Sequence, residues 1–374
     1  MIALYALAAL QTVACLVVLA RLSRGRNRVA PLTPGPPGPA GALAILVPAR
    51  DEELRLGPLL EAVARMGPVV REAIVIDDGS TDGTAELVRA WAARDPRLRL
   101  IAAGERPPEW VGKQHALQAG LAVAAADWCL CLDADARPDP ALPDAALAAA
   151  LEHGYDAMSA GPRFAVDTAG EAVLHPALLT TLVYRFGPPT PAPARTDRIV
   201  ANGQCLLVPR ERFLAAGGWT PVRANMTEDV ALARHLVRAG WRVGMADAAP
   251  LLVVDMHASG REAWREWGRS LALPGVASRY EQLVDVVTLL LVLALPPWML
   301  LAALVTGSWW VATPSLVLLA VRLLLHGALR ATYDRPPAAY WLAPLADGLA
   351  VLRLAVSAVR PNRRWRGRTY ARSS

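Results

Sequence analysis

Residues 2 to 20 are almost wholly apolar, as are most of residues 283 to 305 and 309 to 329, whereas 42 to 280 reads as an ordinary soluble α/β segment. Each run can cover a hydrocarbon core of about 30 Å, which takes about 20 helical residues. A chain with this distribution has to fold as a water-soluble domain bracketed by membrane-type helices. Hydrophobic residues make up 54% of the 374, which places the chain near the membrane class, and its length exceeds that of one small domain.

The first run has no charged residue before its apolar stretch and no small-residue cleavage site ahead of the arginines that follow. It therefore reads as a retained anchor over residues 1–22 and not as a signal peptide. Arg21, Arg24, Arg26 and Arg28 come directly after it. By the positive-inside rule they put the N-terminus outside and the α/β segment in the cytosol, as expected of an integral protein of a bacterial-type plasma membrane. Cys15 lies in the anchor, and Cys129, Cys131 and Cys205 show neither metal-ligand nor disulfide spacing, so buried, reduced thiols are expected. The net charge of +6 suits anionic lipid headgroups, because much of the arginine excess lies beside the apolar runs. Nothing argues for a nucleic acid or an obligate protein partner.

A basic and Pro/Gly-rich linker over 23–41 includes Pro31 to Gly41, which can hold neither a helix nor a central strand. Strands are expected at 43–47, 73–76, 98–102 and 128–132, and helices at 56–66, 83–93 and 113–125. That alternation predicts a mainly parallel, Rossmann-like sheet covered on both faces, with ligands beyond the carboxyl ends of the strands. Pro188 to Pro193 reads as a loop and Arg198 to Val208 as a strand pair. Thr227-Glu228-Asp229 stands in capping position before a helix over Val230 to Ala239. The α/β domain is expected to span 42–260. A Trp/Arg-rich helix, 261–280, follows with Trp264, Trp267 and Leu271 at helical spacing, which suits a membrane interface. Membrane helices are expected over 281–359, with Pro296-Pro297 able to kink the first and with 338–359 the weakest span because it holds Asp347 and Arg353. The basic tail, 360–374, favours an even number of C-terminal crossings that leaves it cytosolic.

Three acidic clusters punctuate the soluble segment: Asp77-Asp78-Gly79-Ser80, Asp133-Ala-Asp135 and Thr227-Glu228-Asp229. Asp133 and Asp135, two residues apart after an apolar strand, can hold Mg²⁺ or Mn²⁺ together with diphosphate oxygens, because hard cations accept a few carboxylates plus phosphate. The same pattern also arises as a solvated turn. Asp78 can accept from a base imide or a ribose hydroxyl, while Ser80 or Asp82 can cap the next helix. Lys113 is the only lysine in a chain whose other basic residues are arginines. As a bland surface charge it would be misplaced in a helix's first turn, whereas a compact ammonium suits a diphosphate. Glu228 and Asp229 can be helix-start acids, and one of them can act as general base on an acceptor hydroxyl. The six histidines form no metal triad, and there is no nucleophile elbow, phosphate loop or dinucleotide fingerprint.

Over about 42 to 270 these motifs resemble glycosyltransferase family 2, the inverting enzymes with a GT-A fold. Pro48-Ala-Arg-Asp-Glu-Glu53 is similar to the family's opening Pro-x-x-Asn-Glu-Glu, with Asp51 where asparagine is usual. The resemblance implies a nucleotide site including Pro48, Arg50, Glu52, Asp77, Asp78, Lys113 and Asp133, a metal on Asp133 and Asp135, and Asp229 as base. It also implies inversion at the anomeric carbon and acceptor- or diphosphate-facing residues Gln204, Glu228, Trp267 and Arg269. Gly112-Lys113, Asn202-Gly203-Gln204, Gly217-Gly218-Trp219 and Trp365-Arg-Gly-Arg-Thr-Tyr370 look like the membrane branch with hopanoid-associated and carotenoid glycosyltransferases. Trp264-Arg-Glu-Trp267-Gly-Arg269 stands where processive members carry Gln-x-x-Arg-Trp, which argues against processivity. The expected function is transfer of a hexose from a UDP-sugar to a lipid acceptor such as a carotenoid, a hopanoid or another glycolipid precursor. Polyprenyl phosphate or a growing polysaccharide is the alternative acceptor.

Overall fold

The structure is a computed structural model and describes every residue except Val29, 189–198, 361–363, 366–367 and 371–374. It divides into two compact units that interleave along the chain. One comprises Met1–Arg28, Ala165–Pro188 and His257–Asn362, the other Val29–Phe164, Pro189–Met256 and Arg363–Ser374. Residues 165–188, which the sequence reading keeps inside a continuous α/β domain, thus cluster with the apolar helices, and the C-terminal tail clusters with the α/β unit.

The α/β unit opens with β1 (Leu43–Ala49), β2 (Val70–Asp77), β3 (Leu98–Ala102) and β4 (Trp128–Leu132), joined by helices Gly57–Arg65, Thr84–Ala92 and Gly112–Val123. These seven elements fall close to their expected bounds. β1 pairs with β2 and β4, and β2 with β3, all in parallel. Alternate residues of each strand point to opposite faces. Ile45, Val47, Val75, Leu130 and Leu132 enter one core, and Ala44, Leu46, Ile74, Ile76, Cys129 and Cys131 the other. Both faces are therefore covered, as a parallel sheet requires. The first core takes up the Gly57–Arg65 helix and the helix Leu142–Glu152, the second the helices Gly112–Val123 and Glu228–Arg238.

Beyond β4 the sheet changes direction. After β5 (Ala136–Pro138), β6 (Ala157–Gly161) and β7 (Arg163–Ala165) comes β8 (Cys205–Pro209), which runs antiparallel between β4 and β6. β9 (Val243–Asp247) closes that edge parallel to β6, giving the seven-stranded order β3-β2-β1-β4-β8-β6-β9. β10 (Leu252–Val254) lies between β5 and β7 apart from the main sheet. Of the strand pair expected over Arg198–Val208 only β8 is found among the described residues. Residues 199–204 instead engage side chains: Asn202 N donates to Ser159 Oγ at 2.6 Å, and Asn202 Oδ1 accepts from Gln204 N at 2.8 Å. Arg198 and most of the expected Pro188–Pro193 loop lie outside the described residues.

The helical unit contains Ile2–Leu22, Ala169–Phe186, Gly260–Ser270, Arg279–Leu289, Pro296–Thr306, Trp309–Leu329 and Asp347–Val359. Among the described residues, three segments are long and apolar enough to cross a membrane: Ile2–Arg26, Trp309–Thr332 and Ala338–Val359. A fourth, Arg279–Ala294 with Pro296–Thr306, is bent by 53°. The bend has a local cause. Pro296 has no N–H to continue the ladder, and Leu295 N reaches back five residues to Leu290 O at 2.9 Å, forming a π-type turn before the proline. Leu10, Leu16, Leu304, Trp310, Leu324 and Leu345 are exposed on this unit, a surface that suits lipid and not water.

Inside the unit, several buried polar side chains are paired. The Arg322 guanidinium forks onto Asp347 at 2.7 and 2.8 Å with both side chains buried, and Ser315 Oγ donates to Gln11 Oε1 at 3.0 Å. Trp267 and Leu271 of the Trp/Arg-rich helix are buried in this unit, Trp267 edge-on to His175 with ring centres 5.2 Å apart. Arg269 reaches Glu266 at 3.4 Å. Arg322→Met strands a buried carboxylate and is expected to cost about 3–5 kcal/mol, whereas replacing Asp347 with leucine as well restores most of the loss. Thermal unfolding of the two variants in detergent measures the difference.

Candidate functional site

Parallel strands deliver their carboxyl ends to one edge, and the polar residues gather there. The β1 end continues into Pro48-Ala-Arg-Asp-Glu-Glu53. Asp51 has a φ of 53°, in the left-handed region that Asp and Asn tolerate better than other side chains. Its Oδ1 accepts from Thr81 N at 2.8 Å and Thr81 Oγ1 at 3.2 Å, and its own N donates to Ser80 Oγ at 3.1 Å. An asparagine oxygen would make the same acceptor contacts, so aspartate in place of the usual asparagine leaves the turn intact. Glu52 is buried, and its N donates to Thr84 Oγ1 at 2.8 Å. Pro48 is half-buried within β1.

The two leading carboxylates after β2 have different surroundings. Asp77 Oδ1 accepts from Ser80 N at 2.8 Å and Ser80 Oγ at 2.6 Å, which holds the Gly79 turn. Asp82 Oδ1 accepts from Thr84 N at 3.0 Å, so it serves the start of the following helix. Asp78 is buried, with the Arg50 Nη1 donating to its backbone oxygen at 2.5 Å.

Lys113 stands at the centre of a second group. Its Nζ lies 2.7 Å from Asp133 Oδ1 and 2.9 Å from Glu228 Oε1, and it donates to Gly203 O at 3.1 Å. Burial alone would lower its pKa, but the two carboxylates outweigh that and hold it above the ordinary lysine value. The antiparallel course of β8 makes this possible, because the residues entering β8 arrive where β4 ends. Leu132 pairs with Cys205, and Asp133 N donates to Gln204 O at 3.2 Å. Gly203 is needed for the close approach: a Cβ there would lie 3.0 Å from Glu228 Oε1 and 3.1 Å from Lys113 Nζ. Gln204 is buried, its Oε1 accepting from Asn202 Nδ2 at 3.1 Å.

Asp229, next to Glu228 in the first turn of its helix, accepts from Gly203 N at 3.1 Å and Val230 N at 2.8 Å. Although part of its surface is open, it sits deep in protein. That burial, followed by the negative charge of Glu228, pushes its carboxyl up to about 7, against the lowering effect of the two backbone amides and Lys113. Thr227 occupies the N-cap without a side-chain cap bond. The expectation of a capping side chain is therefore corrected: Glu228 and Asp229 occupy the first helical turn and face Lys113 and Gly203.

Asp135 follows Asp133 across one residue at the same strand end. Among the described residues no group of three or more His, Cys, Asp or Glu side chains could hold a metal alone. Two carboxylates fit a hard cation that completes its shell with phosphate oxygens, and not a closed protein cage. Cys129, Cys131 and Cys205 are buried free thiols, with burial raising Cys129 and Cys205 to about 12. They are poor ligands at neutral pH. Trp219 is a core residue, edge-on to Phe213 at 4.8 Å.

The sequence reading gave no site role to the Gly203 carbonyl, Ser159 or Arg368, although Asn202-Gly203-Gln204 and Trp365-Arg-Gly-Arg-Thr-Tyr370 were among the motifs that carry the resemblance. Gly203 also carried a local signal, its place in Asn-Gly, a dipeptide typical of tight turns. Trp267 and Arg269 belong to the helical unit, and the cluster described above lies entirely within the α/β unit.

Residues 44–200 match the family described as Glycosyl transferase family 2. Over 235 residues, 62% of this chain, it is 27% identical to a 4,4'-diaponeurosporenoate glycosyltransferase of Staphylococcus aureus (strain USA300). It is 28% identical over the same length to the protein of that name from strain bovine RF122 / ET3-1. The matched stretch spans 61% of those relatives' own length. Among solved structures, the mannosyltransferase PcManGT from Pyrobaculum calidifontis, in complex with GDP-Man and Mn²⁺, shares the fold. Its TM-score is 0.55 at 21% identity, covering 96% of this chain and 99% of that one. The α/β unit thus has a GT-A-like fold and contains a segment that matches glycosyl transferase family 2, in a chain that also carries long apolar helices.

Proposed function

We propose that the chain is a membrane-bound inverting glycosyltransferase that moves a hexose from a UDP-sugar to a lipid-type acceptor at the cytosolic membrane face. The observation that carries this reading is the Lys113 ammonium, which ties Asp133 of the Asp-Ala-Asp pair to Glu228, the neighbour of Asp229. The residues expected at the donor's diphosphate and the residue expected to take the acceptor proton thereby form one electrostatic unit. The carotenoid glycosyltransferase relatives and the apolar helices support a lipid acceptor, of carotenoid, hopanoid or other glycolipid-precursor type.

In this reading Asp78, with Arg50 on its backbone oxygen, receives the nucleoside, and Glu52 and Pro48 are assigned to the same nucleotide. Asp77 supports that site by holding the Gly79 turn. Lys113 offers its positive charge to the leaving diphosphate, which competes with Asp133 and Glu228 for it. Asp133 and Asp135 would hold Mg²⁺ or Mn²⁺, which when bound supplies Lewis-acid stabilisation of the diphosphate. Asp229 accepts the proton of the acceptor hydroxyl at its carboxylate, and a base near neutrality is suited to that transfer. Gln204 steadies the Asn202–Gly203 turn on which Asp229 is hydrogen-bonded. Trp267 and Arg269 are proposed for the acceptor side. Holding the enzyme and a bilayer acceptor on one surface replaces a bulk search with an oriented one.

Membranes bearing the wild type are expected to transfer radiolabel from a UDP-hexose into the organic phase, with Asp229→Asn reducing the rate about 10²–10⁴-fold. Label appearing only in polar polymer indicates a polysaccharide acceptor, and label in acid-labile lipid indicates polyprenyl phosphate. Equal rates with both proteins exclude Asp229 as base.

A pH profile tests the same residue independently. The deprotonated form of Asp229 grows as pH rises through its raised pKa, so kcat/KM is expected to fall as pH drops below about 7. Glu228→Gln removes the neighbouring negative charge and is expected to move that limb to lower pH.

A further inference from the structure

The Asp78 carboxylate is met by a residue 290 positions away. Arg368 Nη1 donates to Asp78 Oδ2 at 2.5 Å, and its Nη2 reaches Asp78 O at 3.3 Å. That backbone oxygen is the one Arg50 also engages. The tail holds this position through a short antiparallel pair, Arg364–Trp365 with Arg368–Thr369, and through Tyr370. Tyr370 is buried, its hydroxyl accepting from Gly112 N at 3.4 Å, and the Arg106 guanidinium lies 5.4 Å from its ring centre. Gly112 is shaped to the arrangement: a Cβ there would lie 2.2 Å from Asp78 Oδ2 and 3.2 Å from Arg368 Nη1. The start of the Lys113 helix, the end of β2 and the C-terminal tail therefore close around one carboxylate.

We infer that Arg368 is a donor-binding residue supplied by the C-terminal tail, contacting the nucleoside end of the nucleotide sugar beside Asp78. The inference rests on the donor reading above and extends it to a residue outside the matched family segment, 44–200. Its chemistry is complementary to that of Asp78. An aspartate carboxylate only accepts hydrogen bonds, and a guanidinium only donates, with five N–H groups in a planar fork. Side by side they present one acceptor and one donor, which matches a base edge or ribose that carries both. Lys113, Asp133 and Glu228 form a separate cluster, so the diphosphate and nucleoside ends have separate cations.

Titration calorimetry of the detergent-solubilised full chain with UDP and with UMP tests the contact without turnover. Wild type is expected to bind both, and Arg368→Ala to weaken both by the same factor, roughly tenfold, the loss of one charged hydrogen bond. Arg368→Lys keeps the charge without the fork and is expected to recover part of the loss. Thermal unfolding in the same buffer fixes the folded fraction, so a merely structural role would leave both affinities unchanged once that fraction is applied. Unchanged or tighter binding by Arg368→Ala overturns the tail contact while leaving the donor reading intact, tighter binding identifying the tail as a plug. Weakening of UDP but not UMP overturns the nucleoside assignment. Failure of wild type to bind either nucleotide overturns the donor reading itself.

Discussion

The site depends on one ammonium group. Lys113 brings the end of β4, the first turn of the Glu228–Arg238 helix and the approach to β8 to within hydrogen-bonding distance of a single nitrogen. Without that charge, Asp133, Glu228 and Asp229 would set several carboxylates against one another in a poorly solvated space. With it, Asp133 and Glu228 share one compensating positive charge, and Asp229 is left with two backbone amides, the residual negative charge of Glu228 and a raised pKa. An arginine carries the same charge on a wider, planar head and would not sit at the meeting point of two carboxylates and a carbonyl in the same way.

The antiparallel strand gives that nitrogen its surroundings. In an all-parallel sheet the residues entering a strand lie at the edge opposite the ligand site. β8 reverses direction, so Asn202, Gly203 and Gln204 enter it beside the end of β4. A glycine at 203 lets the turn approach both Lys113 and Glu228. The Lys113–Asp133 pair and the Glu228–Asp229 helix start are thus joined by a change of strand direction together with one missing side chain.

The first half of the α/β unit was legible in sequence because both signals there are strong. Continuous apolar runs mark Leu43–Val47, Ala73–Ile76 and the 128–132 strand, and each leads into a polar cluster, so the ligand edge follows from the topology. The roles within the first acidic cluster were less legible. Asp77 and Asp78 are adjacent and identical in type, yet one holds a turn and the other meets Arg368, a difference set by tertiary contacts. The second strand expected before Val208 failed for a comparable reason: its polar residues bond to Ser159 and to one another in place of a ladder. The grouping of Ala169–Phe186 with the apolar helices was hidden too, because its buried Glu171, His175 and Arg185 make it read as an ordinary soluble helix. Tail residues at 368 and 370 carried no pattern linking them to position 78, since long-range contact leaves no period in sequence.

Asp229 is proposed to activate the acceptor for a single displacement at the sugar. A single displacement inverts the anomeric centre. The most direct measurement is the proton NMR coupling at the anomeric position of the product formed from an α-linked UDP-hexose. A β-linked product is the predicted result, and an α-linked product formed by the wild type would contradict the account.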